Sequence, residues 1–117
     1  MTLRVLFVCS RNRLRSPTAE AVFAGVPGVE TDSAGLAPDA ETVLDAAQLD
    51  WAGLIVVMER RHRAGVARRF AARLKGKRLV CLDIPDRYGY MQPELVALLE
   101  RKVGPLLAGC AERLQTR

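Results

Sequence analysis

The chain has 117 residues, half of them hydrophobic, and 18 lysines and arginines against 13 acidic residues give a formal net charge of +5. This length suits one domain over residues 1–117, and no apolar run approaches the ~20 residues that cross a bilayer, so we expect no membrane association. Three widely spaced cysteines (Cys9, Cys81 and Cys110) and a single histidine (His62) exclude a secreted disulfide framework and a zinc site; they favour a cytoplasmic protein without metal or other cofactor.

Predicted strands and helices alternate from the N-terminus. Leu3 to Cys9 is a near-continuous apolar run, typical of a parallel strand that is covered on both faces. A helix is predicted to begin at Ser16-Pro17, with the serine as N-cap and the proline at the first helical position. A short strand is predicted near residues 29–33, followed by a brief helix over residues 39–48.

The same alternation continues in the second half of the chain. Trp51 to Met58 is the second strong strand signal, and an amphipathic basic helix follows it. Arg78 to Ile84 is predicted to form another strand, and a final helix begins near Pro93. This order predicts an α/β fold: a single-domain, open parallel sheet of about four strands with helices on both faces.

Ligands of such sheets bind beyond the carboxyl ends of the strands. The rule selects the loops after Cys9, Met58 and Ile84. We expect the first and the third of these loops to carry the chemistry.

Nine basic residues lie between Arg60 and Arg78. The simplest interpretation is a solvated helix face, and the alternative is a surface that attracts an acidic phosphoprotein or nucleic acid. No aromatic residues that could stack on bases are interleaved with the arginines, so we expect no specific nucleic-acid partner.

The loop between the first strand and the first helix carries the strongest functional signal. Cys9 ends the strand, Arg15 stands at the start of the helix, and five residues lie between them. A loop of this length can direct successive backbone N–H groups at one centre and so bind a tetrahedral oxyanion, helped by the helix dipole. Arg15 can close this site with a bidentate fork on two phosphate oxygens. The intervening residues, which we predict to contact phosphate, are Ser10, Arg11, Asn12, Arg13 and Leu14.

Cys9 is the predicted nucleophile of this loop. The positive field of the amides and of Arg15 should hold its sulfur as a thiolate at neutral pH. We expect the hydroxyl of Ser16, which follows Arg15, to donate to that thiolate or to assist the leaving group.

Residues 5–23 resemble the opening of the low molecular weight protein tyrosine phosphatase family, and further similarities follow in order at residues 32–35, 54–58 and 84–89. The resemblance implies a flavodoxin-like (phosphotyrosine protein phosphatase I-like) fold. It also implies hydrolysis of phosphotyrosine or other aryl phosphate monoesters through a phosphocysteine intermediate. The expected partner is a phosphotyrosine-containing protein or a small aryl phosphate, and we expect a monomer or a weak dimer.

The resemblance assigns roles by position. Cys9 matches the family nucleophile, and Arg15 matches the phosphate-binding arginine. Ser16 matches the serine that supports the thiolate, and Asn12 matches a loop asparagine with an unusual backbone conformation. Ser33 matches a serine in the network that supports this asparagine.

A general acid is expected in the loop after the fourth strand, where both Asp83 and Asp86 lie. From the residues alone, either carboxylate could protonate the leaving oxygen. The resemblance favours Asp86, which stands where the family has Asp-Pro-Tyr, and it suggests that Tyr88 lines a slot for an aromatic ring. Arg87 stands where proline is usual, and it could pair with Asp86 and keep this carboxylate ionised.

Three departures mark the chain as a short, divergent member of the family it resembles. Arg11 replaces the usual loop glycine and would strain the backbone if its φ were positive. Leu14 replaces a second cysteine that many relatives carry near the nucleophile. The segment between Gly35 and Trp51 is shorter than usual, which predicts a more open cleft.

Two other functions remain possible at this stage. An arsenate reductase on the same scaffold would need a resolving thiol, for which Cys81 is the nearest candidate. A non-catalytic module could instead hold a phosphorylated partner with the same loop and the basic helix.

Overall fold

The computed structural model describes residues 2–115, with side chains described through residue 110. Residues 1, 116 and 117, which the predicted domain includes, lie outside this range. Within the described residues, no helix has both the length and the hydrophobicity that a membrane span requires. The elements in chain order are β1 (Leu3–Cys9), α1 (Arg15–Phe23), β2 (Val29–Gly35), α2 (Ala46–Trp51), β3 (Leu54–Val57), α3 (Arg60–Phe70), a 3₁₀ turn (Ala71–Arg73), β4 (Arg78–Cys81) and α4 (Pro93–Gln115).

The four strands form one parallel sheet in the order β2-β1-β3-β4. Side chains of β1 alternate between two cores, because successive residues of a strand point to opposite faces. Phe7 packs with residues of α1 and α4, including Phe23 and Leu99. Leu6 packs on the other face with Leu49 of α2 and with residues of α3. The predicted single-domain parallel sheet with helices on both faces is thus confirmed.

The strand order creates a crevice where the site forms. From β1 the chain passes through α1 to β2 on one side, and it then returns through α2 to β3 on the other side of β1. The connections that leave the carboxyl ends of β1 and β3 therefore diverge, and the space between them is the usual ligand position of such sheets.

The predicted N-cap of the first helix, Ser16, is wrong. Helix α1 begins at Arg15, Leu14 occupies the N-cap position, and no side chain caps the helix. Ser16 lies inside the first turn, with its hydroxyl 2.9 Å from the Cys9 sulfur. The serine is therefore not an N-cap, because its hydroxyl faces the thiol.

The helix predicted over residues 39–48 is also wrong. Helix α2 begins at Ala46, where Asp45 and Gln48 form a reciprocal capping box. The preceding residues form a loop that is bonded to the loop after β1: Ala37 N donates to Ser10 O at 2.8 Å, and Glu41 N donates to Arg11 O at 3.1 Å. The segment before α2 thus supports the loop after β1.

Gly35 ends β2 directly beneath the same loop. A Cβ atom at this position would lie 2.6 Å from the Ser10 carbonyl oxygen and 2.7 Å from the Ala40 Cβ. Since backbone atoms cannot move aside as a flexible side chain does, we expect Gly35→Ala to displace the loop. The expected cost is about 1–3 kcal/mol of stability together with weaker phosphate binding, measured by thermal unfolding and phosphate titration.

Gly53→Ala is the matched control, because a Cβ atom there would meet its nearest neighbours at 3.7 Å, an ordinary contact distance. Equal phosphate affinity in the two variants would show that Gly35 does not hold the loop in place.

Candidate active site

The loop after β1 surrounds the buried sulfur of Cys9. The sulfur accepts a hydrogen bond from the Asn12 backbone N–H at 3.3 Å and lies 2.9 Å from the Ser16 hydroxyl. The Asn12 side chain donates to that hydroxyl at 2.9 Å, so the serine proton is left for the Cys9 sulfur or for the Ala34 carbonyl oxygen, which lies 3.5 Å from the hydroxyl. This network places a polar donor on two sides of Cys9.

The backbone of the loop turns at Asn12, whose φ of 55° lies in the left-handed region that asparagine tolerates. Arg11 has no positive φ, so the arginine at the usual glycine position carries no such strain. In the part of the chain that the structure describes, the N–H groups of Arg11, Arg13, Leu14 and Arg15 have no hydrogen-bond acceptor. A curved run of free N–H groups is the arrangement that binds anions.

Arg15 is 2% exposed, and one edge of its guanidinium is fixed by the protein. Its Nη1 donates to Glu59 Oε2 at 2.6 Å and to the Ile84 carbonyl at 2.7 Å. Both Nη1 protons are thereby used, which leaves the Nε–Nη2 edge. That edge has the geometry for a bidentate contact with an oxyanion.

Glu59 and His62 were missed by the sequence prediction, which took the loop after Met58 as a strand-end loop without chemistry. The Glu59 carboxylate also accepts from Arg61 Nη2 at 3.0 Å. His62 is buried, and its Nε2 lies 2.9 Å from the Ser10 hydroxyl. These two residues could have been predicted as part of the site from the position of their loop, which follows β3 and lies beside the Cys9 loop.

Two pKa values in this cluster are shifted. Burial raises the pKa of Glu59, but hydrogen bonds from Arg61 and Arg15 and their charges outweigh it and lower that pKa from 4.5 to about 2. Burial, reinforced by the positive charge of Arg15, lowers the pKa of His62 from 6.5 to about 4. At neutral pH, Glu59 is therefore ionised and His62 is neutral.

The two candidate acids lie in different surroundings. The chain after β4 stays beside β3, since Ile84 N donates to Met58 O at 2.8 Å, and this brings Asp86 to the cavity, with Oδ1 3.6 Å from Arg15 Nε. Asp83 has a φ of 54° and instead faces Arg60 Nε at 3.7 Å. The structure thus places Asp86, and not Asp83, with Arg15.

Three other predicted contacts differ from expectation. Tyr88 packs against the core on the α1 and α4 side and does not line the cavity. The Arg87 guanidinium lies over the Tyr88 ring at 5.7 Å, and it forms no ion pair with Asp86. Ser33, predicted to belong to the network that supports Asn12, bonds through its hydroxyl to the Glu20 carboxylate, and no hydrogen bond among the described residues joins it to Asn12.

A cavity of about 450 Å³ opens above the loop. Among the residues that the structure describes, its lining has four arginines against one carboxylate and no aromatic side chain. The lining residues are Cys9, Ser10, Arg11, Arg13, Leu14, Arg15, Arg61 and Asp86. The cavity thus brings together a thiol, a carboxylate and four arginines.

The other two cysteines lie away from Cys9. Cys81 is on β4, which β3 separates from β1, so the backbones are roughly 10 Å apart, beyond the ~7 Å limit for a disulfide. Cys81 also packs in the core opposite to that of Cys9. Cys110 accepts from Arg78, at the other end of the sheet.

The basic residues of α3 and the following turn are largely tied to the fold. Arg63 donates to Leu79 O, Arg69 to Leu36 O and Lys77 to Ala52 O, at distances of 2.9, 2.7 and 2.5 Å respectively. Because these side chains bond within the chain, the structure favours a solvated helix face over a surface that attracts an acidic phosphoprotein or nucleic acid.

Comparisons with known proteins agree with this architecture. No family model matches the chain, and no curated protein matches it. The YwlE arginine phosphatase from Geobacillus stearothermophilus is 27% identical, with 94% of this chain aligned to 96% of that one at a TM-score of 0.74. The tyrosine phosphatase Wzb from Escherichia coli K30, solved in complex with phosphate, is 22% identical (91% and 96% of the chains, TM-score 0.74).

A third solved structure is a low molecular weight phosphotyrosine phosphatase, VcLMWPTP-2, from Vibrio cholerae O395. It is 20% identical and covers 95% of this chain and 98% of its own, at a TM-score of 0.77. The structural comparisons therefore confirm the resemblance seen in the sequence: the chain has the fold of a low molecular weight protein tyrosine phosphatase along nearly its whole length.

Proposed function

We propose that the protein is a cysteine-dependent phosphatase that hydrolyses phosphotyrosine or another aryl phosphate through a phosphocysteine intermediate. One observation carries this proposal: the Cys9 sulfur, the Nε–Nη2 edge of Arg15 and the Asp86 carboxylate converge on one cavity. A nucleophile, an oxyanion fork and an acid are the groups that this reaction needs.

The first step transfers the phosphoryl group to sulfur. The Cys9 thiolate attacks phosphorus, and the sulfur–phosphorus bond forms as the ester bond breaks. Protonated Asp86 gives its proton to the leaving oxygen, while the loop amides and Arg15 hold the three remaining oxygens.

The second step regenerates the enzyme. The Asp86 carboxylate takes a proton from water, and the water oxygen attacks phosphorus. The sulfur–phosphorus bond then breaks, which releases inorganic phosphate and restores the Cys9 thiolate.

The lining of the cavity favours anionic substrates. Arg11, Arg13 and Arg61 lie at its wall with about half or more of each side chain exposed. Each of them pairs with a carboxylate of the chain (Asp39, Glu41 and Glu59, at 4.0, 3.3 and 3.0 Å respectively). Because ion pairs of exposed side chains are weak, these arginines can still attract acidic residues that flank a phosphotyrosine and repel a cationic leaving group. We therefore favour acidic phosphotyrosine peptides over phosphoarginine, the substrate type suggested by the name of one structural neighbour.

A substrate panel tests the proposal. We expect phosphotyrosine peptides with acidic flanks to be hydrolysed fastest, matched peptides with lysine flanks more slowly, and phosphoserine and phosphoarginine least, with the difference between flanks shrinking at high salt. Incubation with arsenate should leave the number of titratable thiols unchanged. An absence of phosphate release from every member of the panel would refute the phosphatase assignment.

Asp86→Asn tests the general acid. We expect phenyl phosphate, whose leaving group needs a proton, to react about 100- to 1,000-fold more slowly. Activated p-nitrophenyl phosphate should be slowed much less, because its leaving group departs unprotonated. Asp83→Asn is the matched control and should leave both rates near wild type. Equal reduction of kcat/KM for both substrates by Asp86→Asn would mean that another group supplies the proton, because kcat/KM reports the first step and excludes hydrolysis of the shared phosphocysteine.

The alternatives receive less support from the geometry. A pure phosphate-binding module would have no use for the Asp86 carboxylate beside Arg15. An arsenate reductase would need a second thiol within reach of Cys9, and Cys81 is separated from it by β3. A reducing compartment such as the cytoplasm suits the proposed thiolate chemistry.

A further inference from the structure

A chain of hydrogen bonds runs from the residue that precedes α3 to the cavity. The Glu59 backbone N–H donates to His62 Nδ1 at 3.0 Å, and His62 Nε2 lies 2.9 Å from the Ser10 hydroxyl. Ser10 lines the cavity beside Cys9. His62 is 2% exposed, so its ring meets Ser10 away from solvent.

The direction of each proton in this chain follows from the donors. A backbone N–H can only donate, so His62 Nδ1 is an acceptor and carries no proton. A neutral imidazole then has its proton on Nε2 and donates it to the Ser10 oxygen. Glu59 Oε2 is 3.9 Å from Nε2, beyond hydrogen-bond distance, and does not compete for this proton.

Ser10 is left with its own proton and without another acceptor among the described residues. The hydroxyl already accepts from His62, so its O–H cannot point at the imidazole. Arg11 and Arg13 of the same cavity offer only donors, and its two acceptors, the Cys9 sulfur and the Asp86 carboxylate, form no hydrogen bond with the Ser10 hydroxyl. The remaining direction for the Ser10 proton is the cavity where an oxyanion would lie.

We propose that His62 is a positioning residue that fixes the Ser10 hydroxyl as a donor to the bound phosphoryl group. Ser10 is then a further catalytic residue, because its proton contacts a phosphoryl oxygen in both steps. The inference rests on the proposed function, since it assumes that the loop binds an oxyanion. The neutral imidazole that it requires agrees with the lowered pKa of His62.

Two substitutions of His62 separate positioning from simple structural support. In His62→Asn, the side-chain oxygen replaces Nδ1 and can still accept from the Glu59 N–H, but the side chain is too short to reach Ser10. In His62→Gln, the longer side chain can also bring an N–H donor to Ser10. Comparing the two variants therefore isolates the bond to Ser10.

The measurements are inorganic phosphate affinity, aryl phosphate kinetics and thermal unfolding, for both His62 variants, Ser10→Ala and the Ser10→Ala/His62→Asn pair. A hydrogen bond to a charged group predicts a loss of about 10- to 100-fold in phosphate affinity and in kcat/KM for Ser10→Ala. His62→Asn should lose phosphate affinity and kcat/KM by a similar factor while keeping its melting temperature. The double variant should lose little more than either single variant, and His62→Gln should retain most of the wild-type affinity and kcat/KM.

Additive losses in the double variant, or a His62→Gln variant as impaired as His62→Asn, would overturn the proposal. An unchanged phosphate affinity in Ser10→Ala would overturn it as well. Phosphate binding is measured independently of turnover. If the wild-type protein hydrolyses no substrate but the Ser10 and His62 substitutions still have non-additive effects on phosphate affinity, the proposed function is contradicted and the positioning role is supported.

Discussion

Cys9→Ser is expected to abolish turnover, with kcat reduced about 10⁴-fold or more, because a serine hydroxyl in the same place is a far weaker nucleophile than a thiolate. Phosphate binding should survive. The loop amides and the Arg15 fork do not depend on sulfur, and the negative charge that would face the phosphate is removed. The measurements are steady-state hydrolysis of p-nitrophenyl phosphate and calorimetric titration with inorganic phosphate.

Cys81→Ser is the matched control and separates two chemistries. A phosphatase needs one thiol, so this variant should hydrolyse aryl phosphate at the wild-type rate. Loss of aryl phosphate hydrolysis in Cys81→Ser would point instead to a mechanism in which electrons pass between two thiols. Hydrolysis by Cys9→Ser at the rate of the wild type would remove Cys9 from the mechanism altogether.

The sheet was predictable because its signals are local. Strands β1 and β3 are buried on both faces, so every residue of their centres is apolar, and the runs stand out from the surrounding sequence. The placement of Cys9 at a strand end followed from the same pattern. Parallel order and the position of the cavity then followed from general rules for alternating strands and helices.

The errors arose where a side chain serves a distant partner. Ser16 has the sequence context of an N-cap, but its hydroxyl faces Cys9. Residues 39–45 form no helix, because Glu41 bonds to the backbone of Arg11 across 30 positions of sequence and Val43 bridges to Gly35. The capping box of Asp45 and Gln48 was a readable local signal for the true start of α2.

The largest omission was the role of α3 in the site. Glu59 contacts Arg15, which is 44 positions away, and His62 contacts Ser10, which is 52 positions away. No local pattern encodes such pairs. The lone histidine was considered only as a possible zinc ligand, because its proximity to the loop becomes visible only when β1 and β3 lie side by side.

Arg15→Ala should produce the second large effect, and it differs from Cys9→Ser because both binding and turnover are lost. Removal of the fork should lower kcat/KM about 10³-fold or more and should abolish measurable phosphate binding. The Ile84 carbonyl loses its donor, and Glu59 loses one of its two arginine partners. This buried defect should cost about 3 kcal/mol of stability.

Arg15→Lys distinguishes geometry from charge. A lysine carries the same charge, but one ammonium group cannot donate to Glu59 and Ile84 and also supply a planar fork to the oxyanion. We therefore expect Arg15→Lys to recover much of the stability and little of the catalysis, as measured by thermal unfolding and p-nitrophenyl phosphate hydrolysis. Recovery of both would mean that a point charge suffices.

The ionisation of Glu59 provides a separate check on Arg15. In the wild type the pKa of Glu59 is lowered to about 2, so its stabilising contribution is complete above the ordinary value of 4.5 and is lost as the pH falls toward 2. Without Arg15, one of the two arginines that depress this pKa is gone. Acid unfolding of Arg15→Ala should therefore show a weaker dependence on pH between 4.5 and 2 than that of the wild type. An identical dependence would mean that Arg61 alone holds Glu59 ionised and that Glu59 does not anchor the arginine of the loop.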